Sequence, residues 1–444
     1  MRISLRAPAG ALLRGRTFAS LRRHYNYRLY FSGQFLSQIG TWLQSAAMAW
    51  LVLQLTHSAF AVGLLAFWQF GPYALLGLLG GALSDRLDHR NTLIITQISL
   101  ALCSGLMAAL TLTHVVTVWE AYAIAAARGL TLILNNPSRQ AFIFQMVGRD
   151  ELPNAIALNS SLANATRILG PGVGGILIAA FGVGICFSID AISYVAVIFA
   201  LLAMRVNELM PMAQNRRTTV LRGVADGLRY VWRTPVVLVA LLMFLGICMV
   251  SINFSVLLPL VASATLRSGA QVYGLLTACF GAGALIGALI SASLGRATWR
   301  ILLLSAAGFG VGEVLLAPQR SVAGAIIMLL ATGICYTLYT SNTNALVQLT
   351  APGALQGRIA GLYSYIFAGS SPFGALLAGG LAESGGTALA FYVAGGAALV
   401  CAGFGLLAHR RGLTAPPPPG RDAHQGEPAP AVDDAAETPA PTPR

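Results

Sequence analysis

Long apolar runs separated by short polar breaks recur along most of this chain. Each run is close to the length that a helix needs to cross a bilayer, about 20 residues. Spans one to six cover about 29–55, 60–83, 91–113, 118–140, 152–181 and 185–204. Spans seven to twelve cover about 236–262, 273–294, 301–316, 322–342, 356–382 and 388–408. Only helices and closed barrels satisfy backbone polar groups inside lipid, and runs of this length specify helices. The pattern therefore predicts an all-α membrane protein with twelve transmembrane helices in two six-helix halves.

Four other segments frame these halves. Residues 1–28 form a basic arm with seven arginines and no acid, and lack the layout of a cleavable signal peptide. Residues 205–235 form a polar linker, in which Val220, Val224, Leu228 and Val231 recur at helical spacing. That spacing predicts an amphipathic helix lying along the membrane surface. The stretch 409–444 is rich in Pro and Ala with scattered acids, a composition expected to stay disordered. The N-terminal half, 29–204, and the C-terminal half, 236–408, are related by a shift of roughly two hundred residues, as in duplicated transporters. Pro171 recurs as Pro372, and Gln140-Ala141 as Asn344-Ala345.

Composition narrows the class. The 444 residues are 56% hydrophobic and 10% charged, with mean hydropathy +0.71, which excludes an ordinary soluble domain. All 28 basic residues are arginines. Without lysine there is no Walker A loop and no Schiff base, so an ATP-driven pump and a pyridoxal enzyme are both excluded. The net charge of +13 comes from arginines in loops beside apolar spans, the distribution of the positive-inside rule rather than of a nucleic-acid-binding face. Alternation puts 24 arginines on one side, so both termini are expected in the cytoplasm of a multi-pass protein. The abundance of Ala, Gly and Arg suggests a bacterial inner (cytoplasmic) membrane. The six cysteines lie within apolar runs without ligand spacing and are read as buried thiols. No metal or other cofactor is expected.

Two motifs stand out. Between spans two and three the loop reads Gly81-x-x-x-Asp85-Arg86-x-x-x-Arg90, and span five contains Arg167-Ile-Leu-Gly170-Pro171-Gly-Val-Gly174-Gly175. Proline frees a backbone carbonyl, and clustered glycines let a second helix approach closely, so the span-five segment can bend at a contact between halves. A packing seam alone would explain it equally well. The first motif resembles the signature loop of major facilitator superfamily transporters, with Asp88 and His89 replacing the usual small and basic residues. The second resembles the fifth-helix motif of antiporters in that superfamily. The likeness covers about residues 25–408. Wording at Glu151–Ala155, at Arg167–Gly175 and at Gly357-Arg358 is similar to the branch of enterobactin-exporter-like and macrolide-efflux-like proteins.

The resemblance implies alternating access through the major facilitator fold. Gly81, Asp85, Arg86 and Arg90 would act as a conformational switch, with Asp85 meeting the start of span eleven near Gly357 and Arg358. A helix dipole and a guanidinium both favour a carboxylate there.

Charges inside the spans are few. Arg128 and Arg167 sit deep, where an unpaired guanidinium costs about 2.5 kcal/mol or more, so each should face water, substrate or an acid. Arg128 is assigned to the cavity, with a salt bridge as the alternative. Asp190 and Glu313 are the carboxyls clearly inside spans, and structural pairing is favoured over a proton relay for both. No histidine lies in a span. Helical spacing makes Gln34, Gln38 and Trp42 one polar stripe of span one, and Asn253, Tyr336, Tyr339 and Asn342 further candidates for the cavity wall. Amides bonding helix to helix are the alternative. An aromatic and amide lining suits a bulky amphiphile.

The reading reached is a monomeric transporter rather than an enzyme, exporting an organic small molecule such as a drug, siderophore or secondary metabolite in exchange for protons. Its partners would be that substrate, protons and the lipid bilayer, with no nucleic acid. Uptake of a small metabolite on the same fold and lipid translocation are the rivals.

Overall fold

The computed structural model describes residues 18–84, 86–210, 220–353 and 355–414; for 78–79, 81–82 and 220–224 it describes the backbone alone. Asp85 of the signature loop and most of the expected tail lie outside these residues. The described chain is helical, with no strand.

Nine of the described helices are long and apolar enough to cross a membrane. Two of them, Val118–Phe181 and Gln356–Arg410, are double-length and contain non-helical backbone at Gly148 and at Gly385–Gly386 respectively. Each supplies two crossings. Tyr25–Thr56 adds another; its stripe of Gln, Ser and Thr keeps it below the apolarity of the others. The twelve crossings expected from hydropathy are thus present. Helix runs into both intervals between the expected spans, 141–151 and 383–387, and is interrupted at Gly148 in the first and at Gly385–Gly386 in the second.

Gly148 has φ +70 and ψ −175, a conformation almost confined to glycine that costs an L side chain about 1–3 kcal/mol. A Cβ there would also come within 2.6 Å of Met210 Sδ. The reversal is held by Met210 N–H donating to Gln145 O at 2.8 Å, which ties the start of the linker to the end of span four. Nearby, Ser20 bonds Asn154 at 2.7 Å and Arg23 pairs with Glu151 at 2.6 Å, fixing the short helix Ala19–Arg23 against the start of span five. These contacts define the face that carries the chain ends, here called the terminal face. The loops at 57–58, 113–117 and 265–269 lie on the opposite, distal face.

The linker helix is Val220–Arg233. Val231 on it is buried, while Leu228 is 46% exposed, so the expected stripe does not face inward as one set. The side chains of Val220 and Val224 lie outside the described residues. This helix docks beneath the C-terminal half: Tyr230 donates to Thr350 O at 2.9 Å, and Asp226 pairs with Arg358 at 2.9 Å.

The two halves meet through span two against span eleven and span five against span eight. A twofold exchange of halves converts one contact into the other, which is the relation a duplicated fold requires. Small residues make both contacts close. A Cβ on Gly63 would stand 2.5 Å from Ala375 O, and one on Gly175 would stand 2.6 Å from Ala270 O and 2.7 Å from Gly274 Cα. Span seven is broken: Pro235–Val250 stops, and helix resumes at Phe254–Leu260. Backbone unwound at this depth is tolerated where it borders protein or a cavity.

Gly148→Ala is expected to lower the stability of the detergent-solubilised protein by about 1–3 kcal/mol, read as a reduced melting temperature. An unchanged melting temperature would mean that the reversal does not depend on the left-handed backbone.

Candidate functional site

A cavity of about 350 Å³ lies between the halves, at the level of the break in span seven. Spans one, two and five wall it on one side, and spans seven, eight, ten and eleven on the other. Its lining is mainly aromatic and aliphatic, including Trp42, Phe70, Phe254, Phe280, Tyr336 and Phe367. Gln69, Ser255 and Thr277 add polar groups, and Arg167 adds the one charge on the wall.

The span-five motif builds this wall turn by turn. A side chain at Gly170 would overlap Trp42, so the glycine seats the indole. Pro171 reaches the cavity, Gly174 rests on Leu43, and Gly175 meets Gly274 across the boundary between halves. The Arg167 guanidinium lies 5.8 Å from the centre of the Trp42 ring, within cation–π range.

On the distal side the cavity is sealed. Trp50 stacks on Tyr273 at 5.8 Å between centroids and 11° between planes, joining span one to span eight. Tyr273 lines the central cavity, and Trp50 lines a second cavity of about 490 Å³ nearer the distal face. The stack thus stands between the two chambers. Glu383, at the distal end of span eleven, reaches across to the first turn of span two. Its Oε2 accepts from Ala59 N at 2.6 Å, Ser58 Oγ at 3.1 Å and Phe60 N at 3.2 Å. A carboxylate at a helix N-terminus satisfies orphan amides and opposes the dipole. Here the acid and the helix belong to different halves, so the cap also holds the halves together. Sequence reasoning passed over Glu383 because its partners are backbone groups from a helix more than three hundred residues away.

Of the candidates for the cavity wall, Trp42 and Tyr336 line it. The others lie outside it. Arg128 is a correction: it is 4% exposed and points into the N-terminal half. There it pairs with Asp190 at 3.2 Å and donates to Ser104 at 2.5 Å and to Tyr194 OH at 3.1 Å. Ser104 in turn donates to Asp190 at 2.6 Å. An acid on span six captures the guanidinium because a partner inside the bundle relieves a charge that lipid cannot. Asn253 donates to Met249 O and Val250 O, so it serves the break in span seven. Asn342 bonds both the N–H and the C=O of Thr298 at 3.0 Å, anchoring the start of span nine. Gln38 accepts from Thr166 at 3.3 Å. Gln34 and Tyr339 are buried outside the cavity. Glu313 is fully buried beside Ser251, and neither of its carboxyl oxygens has a hydrogen-bond partner among the described residues.

At the terminal face, Arg90 donates to Leu201 O at 3.0 Å, Arg86 is exposed, and Gly81 belongs to the helix Ala59–Ser84. Arg358, expected near Asp85, is paired with Asp226 of the linker. All six cysteines are free, and the described residues contain no cluster able to hold a metal ion.

A central cavity between two exchange-related six-helix halves is the architecture of a membrane transporter. Residues 16–427 match the family described as transmembrane secretion effector, and the chain belongs to this family of the major facilitator superfamily. Among curated relatives, the multidrug efflux pump Tap of Mycolicibacterium fortuitum is 27% identical, over 78% of this chain and 87% of that protein. The enterobactin exporter EntS of Escherichia coli O1:K1 / APEC is 26% identical, over 81% of this chain and 86% of that protein. Among solved structures, the nucleoside transporter NupG superposes with TM-score 0.68 at 12% identity, covering 87% of this chain and 99% of that one. A bacterial homologue of the lysosomal transporter Spinster gives TM-score 0.69 at 12% identity, covering 89% and 98%. These two likenesses speak to the fold. The protein is therefore a multi-pass membrane transporter of a small molecule and not an enzyme.

Two outcomes test the site. Asp190→Ala leaves Arg128 buried without its acid and should cost about 3–5 kcal/mol, whereas Arg128→Met/Asp190→Leu should recover most of that stability. Thermal melts of both variants check it, and equal losses would show that the pair is not a unit. Glu383→Ala should loosen the distal seal. Spin labels at Phe60→Cys and Ser384→Cys should then report a broader or longer distance distribution, and an unchanged one would show that the seal needs no cap.

Proposed function

We propose that this protein exports an organic small molecule, a drug, siderophore or secondary metabolite, by alternating access coupled to proton antiport. The observation that carries the reading is the central cavity, bounded on its distal side by the Pro171–Gly175 segment, the Trp50–Tyr273 stack and the Glu383 cap. The arginine distribution supports an orientation with both termini in the cytoplasm of a bacterial inner membrane. The distal seal is then the outer gate, and a cavity sealed on its outer side is what loading from the cytoplasm requires. The efflux function of relatives such as Tap and EntS supports the direction.

Both exchange-related contacts lie toward the distal side in this state, and alternating access would part them as the terminal side closes. In the state seen here Arg358 is held by Asp226. Closure of the inner side would bring Asp85, with Gly81, Arg86 and Arg90 shaping its loop, to the start of span eleven, where Arg358 exchanges one carboxylate for another. Asp190, paired with Arg128, and Glu313, buried off the cavity, fit structural roles better than a proton relay, so the proton's path is left to the flux measurement. A monomeric working unit is supported by one chain containing both halves and the cavity between them.

Inside-out vesicles containing the protein should accumulate a fluorescent amphiphilic dye when their interior is acidified, and nigericin should abolish this. Accumulation confined to right-side-out vesicles would overturn export. Accumulation surviving collapse of both the pH gradient and the potential would overturn proton antiport.

A further inference from the structure

The central cavity has one charge on its wall and nothing on that wall to neutralise it. Twenty-four residues line the cavity, and Arg167 is the ionised one. The intramembrane acids are committed elsewhere: Asp190 to Arg128, and Glu313 to a buried position off the cavity. Arg167 forms no ion pair among the described residues, and its Nε is buried without a hydrogen-bond partner. One face of its guanidinium is held by the Trp42 ring, and Gly281 of span eight leaves space against the Arg167 backbone. The group thus rests on the Trp42 ring at the cavity wall with donors unspent.

An unpaired guanidinium in a low-dielectric enclosure repels cations and attracts an anion more strongly than it would in water. Its planar fork matches a carboxylate or a similar oxyanion. Around it the wall is aromatic, with Trp42, Phe254, Phe280, Tyr336 and Phe367 offering flat apolar surface. A volume of about 350 Å³ fits the lower range of drug-sized pockets.

We propose that the cavity selects amphipathic organic anions, molecules with an aromatic or aliphatic body and one oxyanion group that Arg167 binds. The proposal rests on reading this cavity as the transport site, and it makes Arg167 the residue that sets charge preference. It also separates this protein from a transporter whose cavity carries an acid and takes cationic drugs.

The test uses three probes of one shape: 2-naphthylacetate, the neutral 2-naphthylacetamide and a naphthylmethyl trimethylammonium cation. Binding to the full chain in phosphatidylcholine nanodiscs is measured by equilibrium dialysis, with empty nanodiscs subtracted. The anion should bind about tenfold or more tightly than the amide, as expected for hydrogen bonds to a charged group, and the cation weakest of the three. Arg167→Gln should bring anion and amide to equal affinity, and Arg167→Lys should keep the order. A residue holding only the fold would change all three probes together. Equal binding of the probes to the unaltered protein, no binding of the anion, or an anion preference that survives Arg167→Gln would each overturn the proposal. The comparison of probes on the unaltered protein stands even if Arg167→Gln fails to fold. An anion preference found together with inward flux would refute export and leave this assignment intact.

Discussion

A charge in hydrocarbon must find a partner, a dipole or water, and that constraint accounts for how the ionised groups of this protein are arranged. Arg128 and Asp190 neutralise each other across spans four and six, with Ser104 and Tyr194 completing the coordination. Glu383 ends at the first turn of span two, where free amides receive it. Arg167 follows neither course. It faces the cavity, and the charge that lipid would reject becomes a means of choosing what enters.

The same economy governs the contacts between halves. Helices in lipid gain little from burying apolar surface and associate through close packing, which favours small residues. Ala59 and Gly63 of span two meet Ala375 and Gly379 of span eleven, while Ala270 and Gly274 of span eight meet Pro171 and Gly175 of span five. These are one arrangement written twice. A cap from Glu383 exists at only one of the two contacts, so the halves match in backbone and differ in chemistry. Such a boundary can hold shut on one side without being locked there, because it is made of packing contacts and a few polar bonds rather than a continuous core.

Much of the architecture was legible from the pattern of residues. The apolar runs marked all twelve crossings, and Pro171 and Pro372 marked corresponding helices. The site was legible in part. Trp42 and Tyr336, candidates by helical spacing, line the cavity, as does Arg167, which the sequence marked only as a deep charge in the span-five motif; the glycines of that motif fall at close helix contacts. Arg128 was misassigned because a deep arginine on a cavity-forming span looks the same in sequence whether it turns toward substrate or toward an acid on its neighbour. Asn253 and Asn342 were misassigned for a similar reason. An amide that repairs a helix break or anchors a helix start carries the same letter as one that faces a ligand. Phe254 and Phe280 were missed because aromatic residues in apolar runs give no sign of which face is dry.

What the sequence determined by itself was the solvent each segment can occupy, since transfer of a side chain between water and lipid is a local property and needs no knowledge of neighbours. The number of crossings, the polar ends and the duplicated halves all follow from it. Only the tertiary structure decided pairing: which acid answers Arg128, which helix start Glu383 caps, and that Arg167 is left facing open space. Those outcomes depend on groups brought together from distant parts of the chain, within the few ångströms over which hydrogen bonds and ion pairs act.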